Sequence, residues 1–366
     1  MLVTDFVQFI VGTYTDSPSI SEGVECIMLD PATGEIHRDQ RFVPQSLLAH
    51  RNPSYITSTK HGLYTINEVE RSNKPELTFV NTNGSNALPI NGDYPCHLDV
   101  HNRLLAVANY GSGNVSIYQL DEMGHPLDLM TELYVEGQGP NLDRQTSPHA
   151  HQVTFLKHTN QLAVVDLGSD RVYLYDYDYD YDYDKDLYTF SLTQNIEMPA
   201  GAGPRHLMFN HDETLAYVVC ELSETLVVLT KSDREWRPSQ ELKLLENETT
   251  QEAAAAIRLS PDQRFVYVSC RAQNKISVFE QRRENVVRLG TYDSGGAFPR
   301  DFVLSLDGQW LLAANQHSNS VVSFRCDRET GAISPSGFSC EVGSPVCLIE
   351  KRHDESKSSS LRSDSF

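Results

Sequence analysis

The chain repeats one pattern of hydrophobic and polar positions seven times. In each copy an apolar run ends in a small or polar residue, a polar turn follows, and a second run alternates apolar and polar positions, as a half-buried strand does. The copies read GTYT then GVECIMLD, YTINE then KPELTFVNTN, AVANYGSGN then VSIYQLD, AVVDLGSDR then VYLYDYD, YVVCELSET then LVVLTKS, YVSCRAQNK then ISVFEQR, and AANQHSNS then VVSFRCD. They recur about every fifty residues, which is typical of four-stranded propeller blades.

Two further strands complete each copy. Most copies are preceded by a proline that opens another strand, where it is tolerated because the first residue of a strand need not donate to the ladder. These residues are Pro53, Pro95, Pro148, Pro204 and Pro299, with Ala254 at the matching place in the sixth copy. Turns such as DPATGEI and DRETGAI link the outer strands, since Asp, Thr and Gly favour hairpins. Each copy therefore predicts four strands, named a to d from the inside.

The first copy lacks a strand a, and the other end of the repeat supplies a substitute. SPVCLIE (Ser344 to Glu350) resembles GPRHLMF (Gly203 to Phe209), which contains the strand a of the fifth copy. Pairing this C-terminal strand into the first blade closes the ring and removes sheet edges that invite aggregation. The sequence thus predicts an all-β fold: a single seven-bladed β-propeller over residues 1–350, followed by a disordered, Ser-rich tail at 351–366.

Composition narrows the partners and the compartment. The formal net charge is -20, which argues against general affinity for nucleic acid or anionic membrane, since both require clustered Lys and Arg. An anionic ligand must therefore meet a local basic patch. The start of the chain has neither a positive segment nor a long apolar run, which predicts a cytoplasmic protein. The seven cysteines are widely spaced, and we expect reduced, mostly buried thiols.

The segment from Tyr173 to Asp186 alternates Tyr and Asp. As a strand it would place aromatic rings on one face and carboxylates on the other. A metal site needs carboxylates that converge on one point, whereas a linear run of charges repels itself. We therefore expect a solvated hairpin arm.

Candidate chemistry lies where strands a begin and strands b end, because antiparallel neighbours bring these ends to the same rim. At the starts of strands a stand Ser54, Cys96 with His97, His149 with His151, Arg205 with His206, and Arg300. At the ends of strands b stand Tyr14, Glu68, Tyr110, Asp166, Glu221, Arg271, and Gln316 beside His317. Several His, Arg and Glu residues around one rim indicate a functional mouth more than a scaffold.

Three features of this set suggest roles. Arg205, Arg271 and Arg300 carry planar guanidinium groups that suit phosphate or carboxylate oxygens, with ion pairing to Glu221 or Asp301 as the alternative. Glu221 is the best candidate acid or base, and beside arginine it would stay ionised.

His149 and His151 are two residues apart and share a strand face, so either one or both face the channel. A metal on this pair is a minor alternative, since no third ligand is evident.

At these residues the chain resembles a known family. SPHAHQV, GAGPRHL, YVVCELSETL, YVSCRAQNKISVF and FPRDF are similar to motifs of the lactonase family of propellers, which contains bacterial 6-phosphogluconolactonases and fungal carboxy-muconate cyclases. The resemblance implies a catalytic His at His149 or His151, and catalytic roles for Arg205 and Glu221. It also implies a further Arg at Arg271 or Arg300, and no metal or organic cofactor. The element YVSCRA and the run Ala253 to Ala256 depart from the family pattern.

The resemblance implies hydrolysis of 6-phospho-D-glucono-1,5-lactone in the pentose phosphate pathway. A carboxy-muconate cycloisomerase and a non-catalytic binding propeller are the alternatives. The expected partner is a small lactone or sugar-acid phosphate, and the oligomeric state stays open. The expected catalytic residues are His149, His151, Arg205, Glu221 and Arg271. The expected substrate-binding residues are Arg300, His206, Glu68, Tyr110, Gln316 and His317.

Overall fold

A computed structural model describes residues 6–39, 50–182, 185–283 and 285–351. Blade 1 contains β1 (Val7–Thr13), β2 (Glu25–Leu29) and β3 (Ile36–Arg38). Blade 2 contains β4 (Pro53–Thr59), β5 (Gly62–Asn67), β6 (Glu76–Asn81) and β7 (Gly84–Pro89), with a short 3-10 helix at Arg71–Asn73. Blade 3 contains β8 (Pro95–His101), β9 (Leu104–Asn109), β10 (Asn114–Leu120) and β11 (Pro126–Tyr134). Blade 4 contains β12 (Ala150–Phe155), β13 (Gln161–Asp166), β14 (Arg171–Asp182) and β15 (Lys185–Glu197).

The second half of the chain continues the same order. Blade 5 contains β16 (Pro204–Phe209), β17 (Leu215–Cys220), β18 (Thr225–Ser232) and β19 (Glu235–Lys243). Blade 6 contains β20 (Ala254–Leu259), β21 (Phe265–Cys270), β22 (Lys275–Arg282) and β23 (Asn285–Asp293). Blade 7 contains β24 (Pro299–Leu304), β25 (Trp310–Asn315), β26 (Ser320–Cys326) and β27 (Ile333–Glu341), and β28 (Pro345–Glu350) follows.

The ring closes as predicted. Strand β28 pairs antiparallel with β1, so that Phe9 lies opposite Glu350 and Gly12 opposite Cys347. Blade 1 therefore has the order β28-β1-β2-β3, like the four-stranded order of the other sheets. Each inner strand also contacts the inner strands of both neighbouring blades. The fold is a seven-bladed β-propeller with the predicted closure.

The hydrophobic core is divided among the interfaces between blades. Seven clusters of buried side chains each draw on two adjacent blades. Between blades 4 and 5, for example, Val165 packs in one cluster with Val218 and Trp236. Burying a large apolar side chain contributes roughly 1.5–3 kcal/mol, so every interface between blades contributes to the stability of the ring.

The start of the fourth inner strand differs from the prediction. Ala150 pairs with Asp166 just as Pro204 pairs with Cys220, so Ala150 holds the strand-opening position. Pro148 belongs instead to the loop from residue 135 to residue 149. His149 consequently lies before the strand rather than on one strand face with His151. A proline marks a place where a strand can begin, but a loop can contain one as well.

The Tyr-Asp segment forms the hairpin β14–β15. Tyr173, Tyr175 and Tyr177 are buried in the cluster between blades 3 and 4, whereas Tyr179 is exposed. The predicted separation of faces is therefore found up to residue 177, but this part is core rather than a solvated arm. These three tyrosines pack against blade 3 because residues 171–176 of β14 pair with β13 inside the blade.

All seven cysteines are buried free thiols, as expected. The predicted tail, apart from Lys351, lies outside the described residues. Within the part of the chain that the structure describes, no helix has the length and apolar character needed to cross a membrane.

Candidate active site

Backbone hydrogen bonds place the ends of strands b and the starts of strands a at one rim. The N–H of Glu221 donates to the carbonyl oxygen of Gly203 at 2.7 Å, and the N–H of Arg271 donates to that of Ala253 at 2.8 Å. Equivalent bonds recur in the other blades. The rim predicted from the repeat is therefore present, with the candidate side chains around one mouth of the central channel.

A β-bulge lies at the start of each inner strand and determines which side chains enter the channel. The register shifts between Pro204 and His206 in blade 5, and between Pro299 and Asp301 in blade 7. Arg205 and Arg300 occupy the extra position, as His151 does in blade 4. A bulge bends the strand and re-aims the side chain at the extra residue. Arg205 and Arg300 thus occupy equivalent positions in blades 5 and 7.

Three guanidinium groups surround the carboxylate of Glu221. Its Oε2 lies 3.0 Å from Nε of Arg205 and 3.0 Å from Nη2 of Arg271. Its Oε1 accepts a hydrogen bond of 2.7 Å from Nη2 of Arg144. The Glu221 side chain is only 4% exposed. Asp301, the other proposed arginine partner, instead pairs with Arg258 at 2.7 Å deeper in the channel.

The electrostatics of the cluster follow from this excess of positive charge. Burial alone would raise the pKa of Glu221, but the Arg271 and Arg205 guanidiniums reverse that effect and hold its pKa well below the usual range. Burial, followed by repulsion from Arg271, lowers the pKa of Arg205 to about 10. At neutral pH Glu221 and Arg205 are therefore both ionised. Glu221 is therefore a firmly held counter-ion and a weak proton acceptor.

Sequence reasoning missed Arg144, which reaches the cluster from the loop between β11 and β12. Its Nη2 donates to Glu221 and lies 3.2 Å from the hydroxyl of Tyr110. Its side chain is 32% exposed, more than the other two arginines. The loop lies outside the repeat, so comparison of the copies could not find Arg144. The only signal was a lone basic residue in a polar loop just before SPHAHQV.

His149 stands at the mouth beside Tyr110. Its ring stacks on the Tyr110 ring with centroids 4.6 Å apart, and its Nδ1 lies 2.8 Å from the Tyr110 carbonyl oxygen. A carbonyl oxygen can only accept, so the hydrogen is on Nδ1. In the neutral ring Nε2 then carries a free lone pair. This is the tautomer that a proton-accepting histidine needs.

His151 and His206 lie deeper and form part of an aromatic row. The His206 ring meets the His151 ring at 5.2 Å and the His97 ring at 5.5 Å, both edge to face. Burial and the Arg205 guanidinium lower the pKa of His151 and of His206 well below the ordinary value. Both rings are neutral at physiological pH. Their contacts indicate that they form a wall of the channel.

The other predicted residues gather on the opposite side of the mouth, at blades 7, 1 and 2. Glu68, Gln316 and His317 line a pocket of about 460 Å³ together with Tyr14. Nη2 of Arg300 lies 3.6 Å from Oε1 of Glu68, and its guanidinium covers the Tyr14 ring at 5.0 Å. Burial raises the pKa of the Tyr14 hydroxyl far above its usual value, so Tyr14 remains a hydrogen-bond donor.

Asp166 does not belong to the rim. It is the last residue of β13, and the equivalent of Glu221 in this blade is Leu167, whose N–H donates to the carbonyl oxygen of His149. The Asp166 carboxylate is buried and accepts a hydrogen bond of 3.0 Å from the N–H of Ser169. The prediction was one residue out of register because the strand ends in Asp rather than in a neutral residue.

The mouth thus combines two groups of predicted residues. Blades 3 to 6 contribute an arginine cluster around Glu221 with His149 and Tyr110 beside it, and blades 7, 1 and 2 contribute a polar pocket. In these two groups four arginines face the two carboxylates of Glu221 and Glu68, although the chain carries a net charge of -20. Among the described residues, no group of three or more His, Cys, Asp or Glu side chains is arranged to hold a metal ion.

The molecule is a closed seven-bladed propeller with guanidinium groups around a buried carboxylate at one mouth. The chain belongs to a known family of such propellers: the family described as Lactonase, 7-bladed beta-propeller matches residues 8–350.

Individual relatives are similar over nearly their whole length. The 6-phosphogluconolactonase of Bacillus subtilis (strain 168) is 31% identical over 359 residues, which covers 92% of this chain and 96% of that protein. An uncharacterized protein of Staphylococcus aureus (strain USA300) is 31% identical and covers 81% of this chain and 88% of its own length. The solved structure of a periplasmic gluconolactonase from Pseudomonas aeruginosa has a TM-score of 0.80 at 26% identity, and covers 95% of this chain and 99% of its own.

Proposed function

We propose that the chain hydrolyses 6-phospho-D-glucono-1,5-lactone to 6-phosphogluconate, a reaction of the pentose phosphate pathway in the cytoplasm. The observation that carries this proposal is the excess of guanidinium groups around Glu221 in an otherwise acidic protein. The names of the relatives support a sugar lactone as the substrate class. The pocket on the opposite side of the mouth, lined by Tyr14, Glu68, Gln316 and His317, has a volume of about 460 Å³, within the range of roughly 300–1,000 Å³ that small-molecule sites occupy.

The reaction adds water to the ring carbonyl and then breaks the bond between that carbon and the ring oxygen. Negative charge develops on the carbonyl oxygen in between, and preorganised cations stabilise it. Arg205 and Arg271 suit this role because Glu221 and the backbone hold both guanidiniums in place: Nη1 of Arg205 donates to the Ala255 carbonyl oxygen at 2.7 Å, and Nε of Arg271 donates to that of Ala253 at 3.1 Å.

A proton acceptor must take a hydrogen from the attacking water. We assign this role to His149 rather than to Glu221, because three guanidiniums make Glu221 a weak base whereas Nε2 of His149 has a free lone pair. The water proton passes to Nε2 and then to the departing ring oxygen, which becomes a hydroxyl group. Glu68, Gln316 and His317 would bind sugar hydroxyls in the mouth pocket, with Arg300 holding Glu68 in place.

A spectrophotometric assay with a pH indicator tests the proposal, since hydrolysis releases acid. Freshly generated 6-phosphogluconolactone should be hydrolysed much faster than it hydrolyses spontaneously. Arg271→Ala should lower kcat/KM, whereas Arg171→Ala should not, because Arg171 pairs with Glu197 away from the mouth. No acceleration of either the phosphorylated or the plain lactone would refute the proposal. Binding of 6-phosphogluconate without turnover would favour a binding propeller, and conversion of carboxy-muconate would favour a cyclase.

A further inference from the structure

Arg144 differs from the other two arginines around Glu221 in how it is held. The side chains of Arg205 and Arg271 are 4% and 10% exposed. Arg205 lies at the start of the inner strand β16, and Arg271 directly follows the second strand β21. The Arg144 side chain is 32% exposed and starts from a loop. Of these three guanidiniums, Arg144 is therefore the one that can change partner without disturbing a strand.

The backbone beneath Arg144 is fixed, so that a change of partner involves the side chain alone. The buried side chain of Gln145 donates to the Leu167 carbonyl oxygen at 2.8 Å and to Oδ1 of Asp170 at 2.7 Å. Asp170 in turn accepts a hydrogen bond of 2.7 Å from the N–H of Gly203, the residue before strand β16. These bonds tie the loop to blades 4 and 5.

Arg144 also connects the arginine cluster to His149. Its Nη2 lies 3.2 Å from the hydroxyl of Tyr110, and Tyr110 holds His149 through both its carbonyl oxygen and its ring. A shift of the guanidinium therefore changes a contact of the residue that orients the proposed proton acceptor. Glu221 keeps two guanidinium partners when Arg144 moves away, so the move leaves no buried charge unpaired.

We propose that Arg144 determines specificity for a phosphorylated substrate: the phosphate group takes the Arg144 guanidinium from Glu221, and this exchange positions His149 through Tyr110. The inference rests on the proposed function. A phosphate dianion offers more charge and more acceptor oxygens than Oε1 of Glu221, and a guanidinium fork matches it in a bidentate way. Binding energy from a part of the substrate that does not react is then used to raise kcat.

The test separates the phosphate from the lactone. Glucono-1,5-lactone lacks the phosphate group. Phosphite dianion, added as a separate molecule, can occupy the site of that group. Phosphite should increase the turnover of glucono-1,5-lactone by the wild-type protein by about 5- to 150-fold, the usual range of coupling between two sites. Arg144→Ala should abolish this activation, and Arg144→Lys should restore only part of it. Arg171→Ala is the matched control, because Arg171 is 29% exposed and also pairs with a glutamate.

Each outcome bears on one claim. If the plain lactone is hydrolysed but phosphite has no effect on the wild-type protein, or if Arg144→Ala and Arg171→Ala respond alike, the role of Arg144 is wrong and the proposed function stands. If neither lactone is hydrolysed, the proposed function fails. Calorimetric titration with 6-phosphogluconate and gluconate then still tests Arg144. The wild-type protein should bind the phosphorylated acid more tightly than gluconate, and Arg144→Ala should lose this preference. A variant that keeps the wild-type preference would overturn the inference.

Discussion

Replacing Glu221 by Gln removes one buried negative charge from among three guanidinium groups. Two of those guanidiniums, from Arg205 and Arg271, are nearly inaccessible to solvent and lie 3.0 Å away. Breaking a buried ion pair by removing one partner costs about 3–5 kcal/mol, whereas the pair with the partly exposed Arg144 is better screened and adds less. Total stability is typically about 5–15 kcal/mol, so Glu221→Gln should fold but unfold at a clearly lower denaturant concentration.

The pH dependence of this loss follows from the pKa of Glu221. The folded-state pKa lies below the ordinary value of 4.5, so the contribution of Glu221 to stability is complete above that pH and is lost as the pH falls towards the folded-state pKa. The difference in unfolding free energy between the wild-type protein and Glu221→Gln should therefore be largest near pH 7 and shrink below about pH 4.5.

Denaturant unfolding at a series of pH values, in chloride and in phosphate, measures both effects. Phosphate should partly restore the variant, because an anion that binds the three guanidiniums favours the folded state. Equal stability of the two proteins at pH 7, combined with a fall in kcat of about 10²- to 10⁴-fold, would refute the counter-ion role and support Glu221 as the acid or base that the sequence suggests.

Three further predictions concern other parts of the molecule. His149→Gln should lower kcat by about 10²- to 10⁴-fold with little change in thermal unfolding, and a fully active variant would exclude His149 as the proton acceptor. Ending the chain at Gly343 should leave β1 unpaired and give an aggregating product by gel filtration, whereas ending it at Lys351 should be harmless; a monomeric shorter product would contradict the closure. Gln152→Met should lower stability by about 1–3 kcal/mol in denaturant unfolding, since the Gln152 amide bonds both backbone groups of Leu207, and an unchanged midpoint would show that those groups find other partners.

The fold could be predicted from the sequence because the pattern within each copy and the closure of the whole ring agree. The hydrophobic pattern repeats seven times, strand-opening prolines recur, and Ser344 to Glu350 supplies the strand that the first copy lacks. The strand start at Pro148 was misplaced because a proline occurs in loops as well as at strand starts. Only pairing of Ala150 with Asp166 fixes the register, and that pairing is a property of the folded sheet.

The candidate site could be predicted only in part from the sequence. Arg205, Glu221 and Arg271 were identified because they occupy equivalent places in a repeat whose geometry is known. Arg144 was missed because a loop residue has no equivalent in other blades, and its position depends on bonds such as those of Gln145. The sequence predicted that Glu221 stays ionised, but not that it is a weak base, since that depends on how many guanidiniums surround the carboxylate.

The pairing of β28 with β1 has a consequence for biosynthesis. The ribosome releases β1 first, but its inner partner follows roughly 330 residues later, which at about 5–20 residues per second is a delay of about 15–70 s. During that time blades 2 to 6 can assemble in order while the first blade still presents a free edge to other nascent chains. Chaperone dependence during translation should therefore be concentrated on strand β1, and circular permutation that places β28 directly before β1 should relieve it.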